Sequence, residues 1–395
     1  MRSEQQLRSF LRVLENYPED KPLAKFLPEF FRKNKQMGSN DRRSASRLLY
    51  NFYRIGKAFQ DKPVEQRLLM AEFLCTAVDN PFLQHFRPDL NENIQMSQKE
   101  KIAYSILKEG LVLQDVFPFT EHLSKGIDQT SFLQSFFVQP DLFIRIHPDK
   151  EDVVISIIAS SAVPFKQIGK YTLALPNGTN LNKLFPDVDF PLKPYEIQDL
   201  SSQETLKYFQ PKRYEHWWDA CAASGGKSLL LFSEQPDIKL VVSDIRESVL
   251  DNLDERFINA GLRTYQKKLI DLTQNPDQFL HHYQFDGIIL DAPCSGSGTW
   301  GRTPEMISQF MEYKIQGFQN LQKSIVSNVV KYLKPGKALI YITCSVFKKE
   351  NEDIVDYIIE EHGLKLEEQG VLKGYENKAD TMFVARFIKP DKIDE

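Results

Sequence analysis

The chain has 395 residues, 42% of them hydrophobic and 26% charged, with a formal net charge of −4; this is soluble composition with length for two or three domains. No apolar run of about 18 residues occurs, so no membrane-crossing helix is expected, and the polar start Met1-Arg2-Ser3-Glu4-Gln5-Gln6 has no apolar signal core, which leads to the expectation of a cytoplasmic protein. Four cysteines (Cys75, Cys221, Cys294, Cys344) are too few and too scattered for a disulfide framework, and neither they nor the 7 histidines show metal-ligand spacing, so no metal is expected.

Residues 1–127 read as a helical domain. Leu7, Phe10, Leu11 and Leu14 recur at helical spacing. Ser39-Asn40-Asp41 precedes a stretch from Arg42 to Arg54 with one basic and one apolar face, which predicts a helix capped by a side chain. Residues 68–78 form another apolar helix, which buries Cys75 as a small core residue. Ser97 caps a further helix to about residue 107. Residues 1–60 carry 13 Lys/Arg against 6 Asp/Glu, a basic region on an acidic body. Such asymmetry suits either RNA contact or a solvated helical surface.

Residues 128–205 change texture. Residues 142–146 alternate like a strand, 149–159 suit a helix, and 171–175 form a second strand stopped by Pro176-Asn177-Gly178. A small α+β module follows from that order, with Pro186, Pro191 and Pro194 marking its exit.

Residues 206–395 alternate strands and helices, the pattern of a doubly wound parallel α/β sheet. Strands are predicted at 216–220, 240–244, near Leu269-Ile270, at 285–292, 338–342 and 382–388. A helix is predicted over 316–333, with Leu321, Ile325, Val329 and Leu333 on one face, and Pro335-Gly336 as the turn into the next strand.

Three features carry chemistry. The loop Cys221-Ala222-Ala223-Ser224-Gly225-Gly226-Lys227 follows the first strand of this sheet and opens a helix, where small residues let backbone approach a ligand. Its Gly226-Lys227-Ser228 end imitates a phosphate loop, but that motif needs glycine six positions before the lysine, where Cys221 stands. Asp244, Asp271 and Asp291 fall at successive strand ends; in such sheets an acid there accepts the ribose hydroxyls of an adenosine. Cys294 and Cys344 end neighbouring strands, which lie about 4.8 Å apart, so both thiols can face one pocket.

Asp291-Ala292-Pro293-Cys294-Ser295-Gly296, Thr343-Cys344-Ser345 with Glu350-Asn351-Glu352, the 221–227 loop and Gln198-Asp199-Leu200-Ser201-Ser202-Gln203 together resemble the NOL/NOP/Sun (RsmB-type) RNA cytosine-C5 methyltransferases. The resemblance extends over about 128–395. Residues 1–127 resemble a NusB-like RNA-binding domain faintly, at Asp41-Arg42-Arg43. The family usually has proline where Ser224 stands, threonine where Ser228 stands and a basic residue where Gly301 stands.

The resemblance implies a Rossmann-like S-adenosylmethionine methyltransferase domain behind the α+β module and the helical domain. It implies transfer of methyl from S-adenosyl-L-methionine to C5 of cytosine in RNA, on rRNA or alternatively tRNA. A catalytically silent RNA-binding or ribosome assembly factor is the rival of another class, and the intact Asp291, Cys294 and Cys344 argue against it. By the family pattern Cys344 is the nucleophile, Cys294 serves product release, and Asp291 holds the base or the cofactor. Residues 221–227, Asp244, Asp271 and Asp291 would bind the cofactor. Arg42, Arg43, Arg145 and Arg302 are the candidate RNA contacts, with Arg145 equally readable as an interdomain ion-pair partner. The protein is expected to act as a monomer.

Overall fold

The computed structural model describes residues 2–18 and 20–391. The chain forms two compact units. The first runs up to Glu121 and adds Asp128–Gln139 and Thr299–Glu312; the second takes His122–Ile127, Pro140–Gly298 and the chain from Tyr313 onward.

The first unit is helical. Leu7, Leu11 and Leu14 lie half-buried on the helix Arg2–Glu15, around fully buried Phe10 and Val13. The helix Ser39–Arg54 adds Ala45, Leu48, Leu49 and Phe52 to the same core. Its N-cap is Gly38, with no side-chain cap bond, so the predicted Ser-Asn-Asp cap is not made: Ser39 is already helical. The Ser97 cap is made, as a reciprocal box in which Ser97 Oγ accepts from Glu100 N–H and Ser97 N–H donates to Glu100 Oε2. The helix read at 68–78 is Val64–Cys75, and burial pushes its terminal thiol, Cys75, up to about 12.

The second unit holds two sheets. Strands β1 (Leu142–Ile146), β2 (Lys166–Gly169), β3 (Thr172–Leu175) and β4 (Tyr195–Ile197) form an antiparallel sheet in the order β2-β3-β1-β4. The helix Glu151–Ser160 packs Val154 and Ile158 with Ile144, Ile146 and Leu173.

The larger sheet comprises β5 (His216–Asp219), β6 (Lys239–Asp244), β7 (Gln266–Leu269), β8 (Phe285–Asp291), β9 (Leu333–Thr343), β10 (Lys365–Leu372) and β11 (Met382–Ile388). Their order is β10-β11-β9-β8-β5-β6-β7. The strands from β9 to β7 pair parallel, while β11 and β10 are antiparallel additions at one edge. This is the expected Rossmann-like α/β architecture. The chain winds outward from β5 through β6 to β7, then returns to β8 on the other side of β5. Sheets of this kind bind ligands beyond the carboxyl ends of the strands at such a switch point.

Strand alternation explains the core. Trp217 and Trp218 point to opposite faces of β5 and enter separate apolar clusters. Gly287 on β8 faces Trp217, where a Cβ would sit 2.5 Å from the indole ring, so this central strand carries glycine to admit the large neighbour.

Pro335-Gly336 is not a turn between elements. The helix ends earlier, at Val329, and β9 runs from Leu333 through both residues. The register steps from Phe285↔Leu333 to Gly287↔Ala338, so the extra residues form an irregular insertion in the strand, and Gly336 N–H donates to Lys389 O at 2.7 Å. Leu333 is therefore a strand residue and not the last apolar position of the helix.

Candidate active site

The parallel strands deliver their last residues to one edge of the sheet. Asp219 ends β5, Asp244 ends β6, Asp291 ends β8, and Thr343 ends β9 with Cys344 next. Asp271 lies two residues beyond β7. A cavity of about 530 Å³ opens there, lined by Cys221, Ala223, Asp244, Asp271, Asp291, Cys294 and Cys344. The three predicted acids and both predicted thiols therefore share one cavity.

The thiols are adjacent, with Cys294 Sγ and Cys344 Sγ 3.3 Å apart. The neighbouring Cys344 thiol and burial hold the Cys294 thiol well above the ordinary range. Beside them Lys227 Nζ donates to Asp291 Oδ2 at 3.0 Å and to Ser202 Oγ at 2.9 Å.

The 221–227 loop divides its labour. Cys221 and Ala223 line the cavity, and burial pushes the Cys221 thiol up. Ala222 is buried in the core instead, and Ser224 Oγ accepts from Arg256 at 3.1 Å. Gly225 has φ +79°, and a Cβ there would sit 2.2 Å from the Phe257 ring, so only glycine fits. Gly226 opens the helix Gly226–Glu234, which buries Lys227 and aims it at Asp291. Of residues 221–227, only Cys221 and Ala223 line the cavity.

Asp244 is already engaged. Its Oδ1 accepts from Arg246 N–H and Nε, both at 3.0 Å, and its Oδ2 from Arg246 Nη2 at 3.2 Å and Ala223 N–H at 3.0 Å. Burial alone would raise this carboxyl, but those donors outweigh it and hold it below the usual range. Asp271 accepts from Thr273 N–H and Oγ1. Asp219 is fully buried with one hydrogen-bond partner among the described residues, Ser228 Oγ at 2.7 Å, and burial pushes it up to about 7.

Arg145 is 7% exposed and donates from Nε to Gln198 Oε1 at 2.9 Å. Gln198 Nε2 in turn donates to Gly226 O and Ser202 Oγ, each at 3.2 Å. Through Gln198, Arg145 is tied to the loop that carries Lys227. A strand position on the buried face of a small sheet made it so, which spacing alone did not reveal. Arg42 also works locally: half-buried, it donates from Nε to Met37 O at 2.8 Å. Arg43 is exposed and bonds Asn40. Arg302, half-buried, precedes the helix Glu305–Gln309 in the first unit.

Ile245, Arg246, Leu272, Leu321 and Ile325 also line the cavity and were not anticipated, except that Leu321 and Ile325 stood on the predicted apolar face of their helix. The signal for the first three was their place next to the strand-end acids.

Residues 206–392 match the family model described as 16S rRNA methyltransferase RsmB/F. Ribosomal RNA small subunit methyltransferase B of Klebsiella pneumoniae is 32% identical over 206 residues, 49% of this chain and 46% of that protein. The protein of the same name from Shewanella oneidensis is 34% identical over 157 residues, 40% of this chain and 36% of that protein. This chain thus spans under half the length of these curated relatives. Among solved structures, PH0851 superposes with a TM-score of 0.70 at 20% identity over 98% of both chains. NSun6 from Pyrococcus horikoshii, solved with SFG, gives 0.56 at 16% identity over 64% of this chain and 91% of that one. The structural likenesses bear on the fold alone; the family model and the curated relatives match residues 206–392 of this chain to the RsmB/NOL1-NOP2-Sun family of RNA cytosine-C5 methyltransferases.

Proposed function

We propose that this protein is an S-adenosylmethionine-dependent RNA cytosine-C5 methyltransferase acting on ribosomal RNA. One observation carries the reading: two thiols 3.3 Å apart on adjacent strand ends, in a cavity shared with Asp291. Methylation at C5 of cytosine calls for a thiol to activate the ring and a second group to help release it. Methyl transfer to an ordinary nucleophile needs neither.

The cavity suits the cofactor by its donor set. Asp244 and Asp271 present carboxylates for ribose hydroxyls, and Ile245, Leu272, Leu321 and Ile325 supply apolar walls for a purine. Bound there, S-adenosylmethionine supplies the methyl group. Cys344 as thiolate adds to C6 of cytosine, forming a sulfur–carbon bond and making C5 nucleophilic. Asp291, steadied by Lys227, hydrogen-bonds the N3/N4 edge of the base. Once C5 is methylated, a base takes the C5 proton, the C–H electron pair forms the C5–C6 double bond, and the sulfur–C6 bond breaks with Cys344 leaving as thiolate; Cys294 assists that release.

The same reading has the protein working as a cytoplasmic monomer without a metal ion, with Arg43 and Arg302 touching RNA phosphates. Charge reversal at Arg43 then weakens RNA binding and flattens its salt dependence.

The test is a pair of variants assayed with RNA. Cys344→Ser lowers methyl transfer by about three orders of magnitude or more while cofactor binding survives. Cys294→Ala accumulates a covalent protein–RNA adduct, seen as a slow band on a denaturing gel. An adduct that needs Cys294 and survives loss of Cys344 would reverse the two roles. Bisulfite sequencing of rRNA and tRNA from cells with and without the gene decides which RNA is modified.

A further inference from the structure

Resting on that reading of the site, we infer that Glu350 is the positioning residue that sets the register of the two thiols. Glu350 is fully buried, and its two oxygens take donors from different turns. Oε2 accepts the N–H of Ser295, the residue after Cys294, at 2.7 Å, and Oε1 accepts Oγ of Ser345, the residue after Cys344, at 3.0 Å. One carboxylate therefore spans the two turns one residue away from each sulfur.

The surroundings hold that brace rigid. Gln322, on the helix Lys314–Val329, donates to Pro293 O at 3.0 Å and reaches Glu350 Oε2 at 3.4 Å, pinning the Cys294 turn from behind. Tyr341 of β9 donates to the backbone carbonyl of Glu350 at 2.7 Å. Asn351 fixes the other turn, accepting from Thr343 Oγ1 at 2.5 Å and donating to Ser345 O at 2.9 Å. Glu350 is absent from the cavity lining, so it acts through the cysteines and not on a reacting atom. A carboxylate is required because the two ties use two acceptor oxygens; the amide of glutamine offers only one.

Thiol register can be measured without RNA or cofactor. Diamide oxidises a close thiol pair to a disulfide: each sulfur gives up one hydrogen, a sulfur–sulfur bond forms, and the diazene is reduced to the hydrazine. The yield of Cys294–Cys344 linked peptide against time reports how well the pair is held. Glu350→Gln and Ser345→Ala should each slow it on the order of tenfold, and Glu350→Gln should lower kcat for methyl transfer by about 100-fold with KM for the cofactor unchanged. Glu350→Ala should do at least as much, and if it fails to fold the two milder variants carry the test. Wild-type oxidation rates in Glu350→Gln overturn the inference, whatever kcat does. Slowed oxidation in that variant, with no RNA methylated even by the wild type, would sink the proposed function and leave the positioning role standing.

Discussion

Glu72 in the first unit and Asp219 in the second are both fully buried acids, and they are treated in opposite ways. Glu72 receives three side chains: Arg47 and Asn80 on Oε2, and Asn51 on Oε1 at 2.7 Å. Asp219 receives one, Ser228, and its Oδ1 has no hydrogen-bond partner among the described residues. The first is a closed knot that joins helices. The second sits in a field of acids, with Asp244 and Asp291 raising its carboxyl and Lys227 opposing them. A carboxylate whose acceptors are all filled is a structural part; strand-end acids left short of donors, or facing a cavity, are where chemistry can be placed.

The sharpest way to break this comparison is pH. Burial raises the folded Asp219 carboxyl to about 7, from an ordinary 3.8. Between those values the unfolded chain loses this proton and the folded chain keeps it. The stability Asp219 contributes is thus fully present at low pH and is lost as pH rises through 7, a difference on the order of 4 kcal/mol at most. Asp219→Asn should remove that component. In urea unfolding the variant should be the more stable at pH 8, with its advantage shrinking toward pH 4. Parallel pH profiles would mean Asp219 is as well satisfied as Glu72.

The converse change is Glu72→Ala. It leaves the Arg47 charge and two buried amides without their acceptor, at a cost of about 3 kcal/mol. Urea titration should show that loss, while methyl transfer measured where the variant is folded stays at the wild-type rate. A matching drop in rate would erase the distinction drawn between the two acids.

The strand-end acids could be read from sequence because buried parallel strands are apolar runs that stop abruptly at a polar residue, as at Asp244 and Asp291. The thiol pair could be read because adjacent strand ends must lie close. Elements without an apolar signature were missed or caught only at one end. All four residues of β2 and half of those of β10 are exposed, and β7 reads Gln-Lys-Lys-Leu, so only its end near Leu269 could be placed. Each lies at an edge of its sheet, where one neighbour suffices and the pattern of burial fades. The assignment of Thr299–Glu312 to the first unit was equally hidden, since contacts distant in sequence decide it. Glu350 was visible only as part of a motif; its two ties depend on turns whose geometry no spacing rule supplies.

A smaller effect sharpens the comparison from within the cavity. Lys227 is buried and bonded to Asp291, which could make it a structural pin like Arg47 on Glu72. Asp291, however, lines the cavity, and its Oδ1 has no hydrogen-bond partner among the described residues. Lys227→Met should therefore cost about 100-fold in single-turnover methyl transfer through misplacement of Asp291, with cofactor affinity nearly unchanged. A loss confined to stability would place the pair beside Glu72 instead.

The smallest expected effect tests Asp244, the one strand-end acid whose two oxygens are already occupied. Four of its hydrogen bonds come from Arg246 and Ala223, so by donor count alone it resembles Glu72. The resemblance is superficial, because the Arg246 side chain is 59% exposed and its ion pair with Asp244 is open to solvent. Such a pair is worth about 1 kcal/mol or less. A carboxylate has about four lone-pair sites, so ribose hydroxyls compete with Arg246 for Asp244 without having to break a buried bond. Arg246→Ala should then tighten cofactor binding by about threefold or less, read by calorimetry with S-adenosylhomocysteine. Asp244→Ala should weaken it by about tenfold or more. If Arg246→Ala instead weakened binding as much as loss of Asp244, the arginine would be a ligand contact in its own right, and the acid at the end of β6 would be as closed as the one in the helical unit.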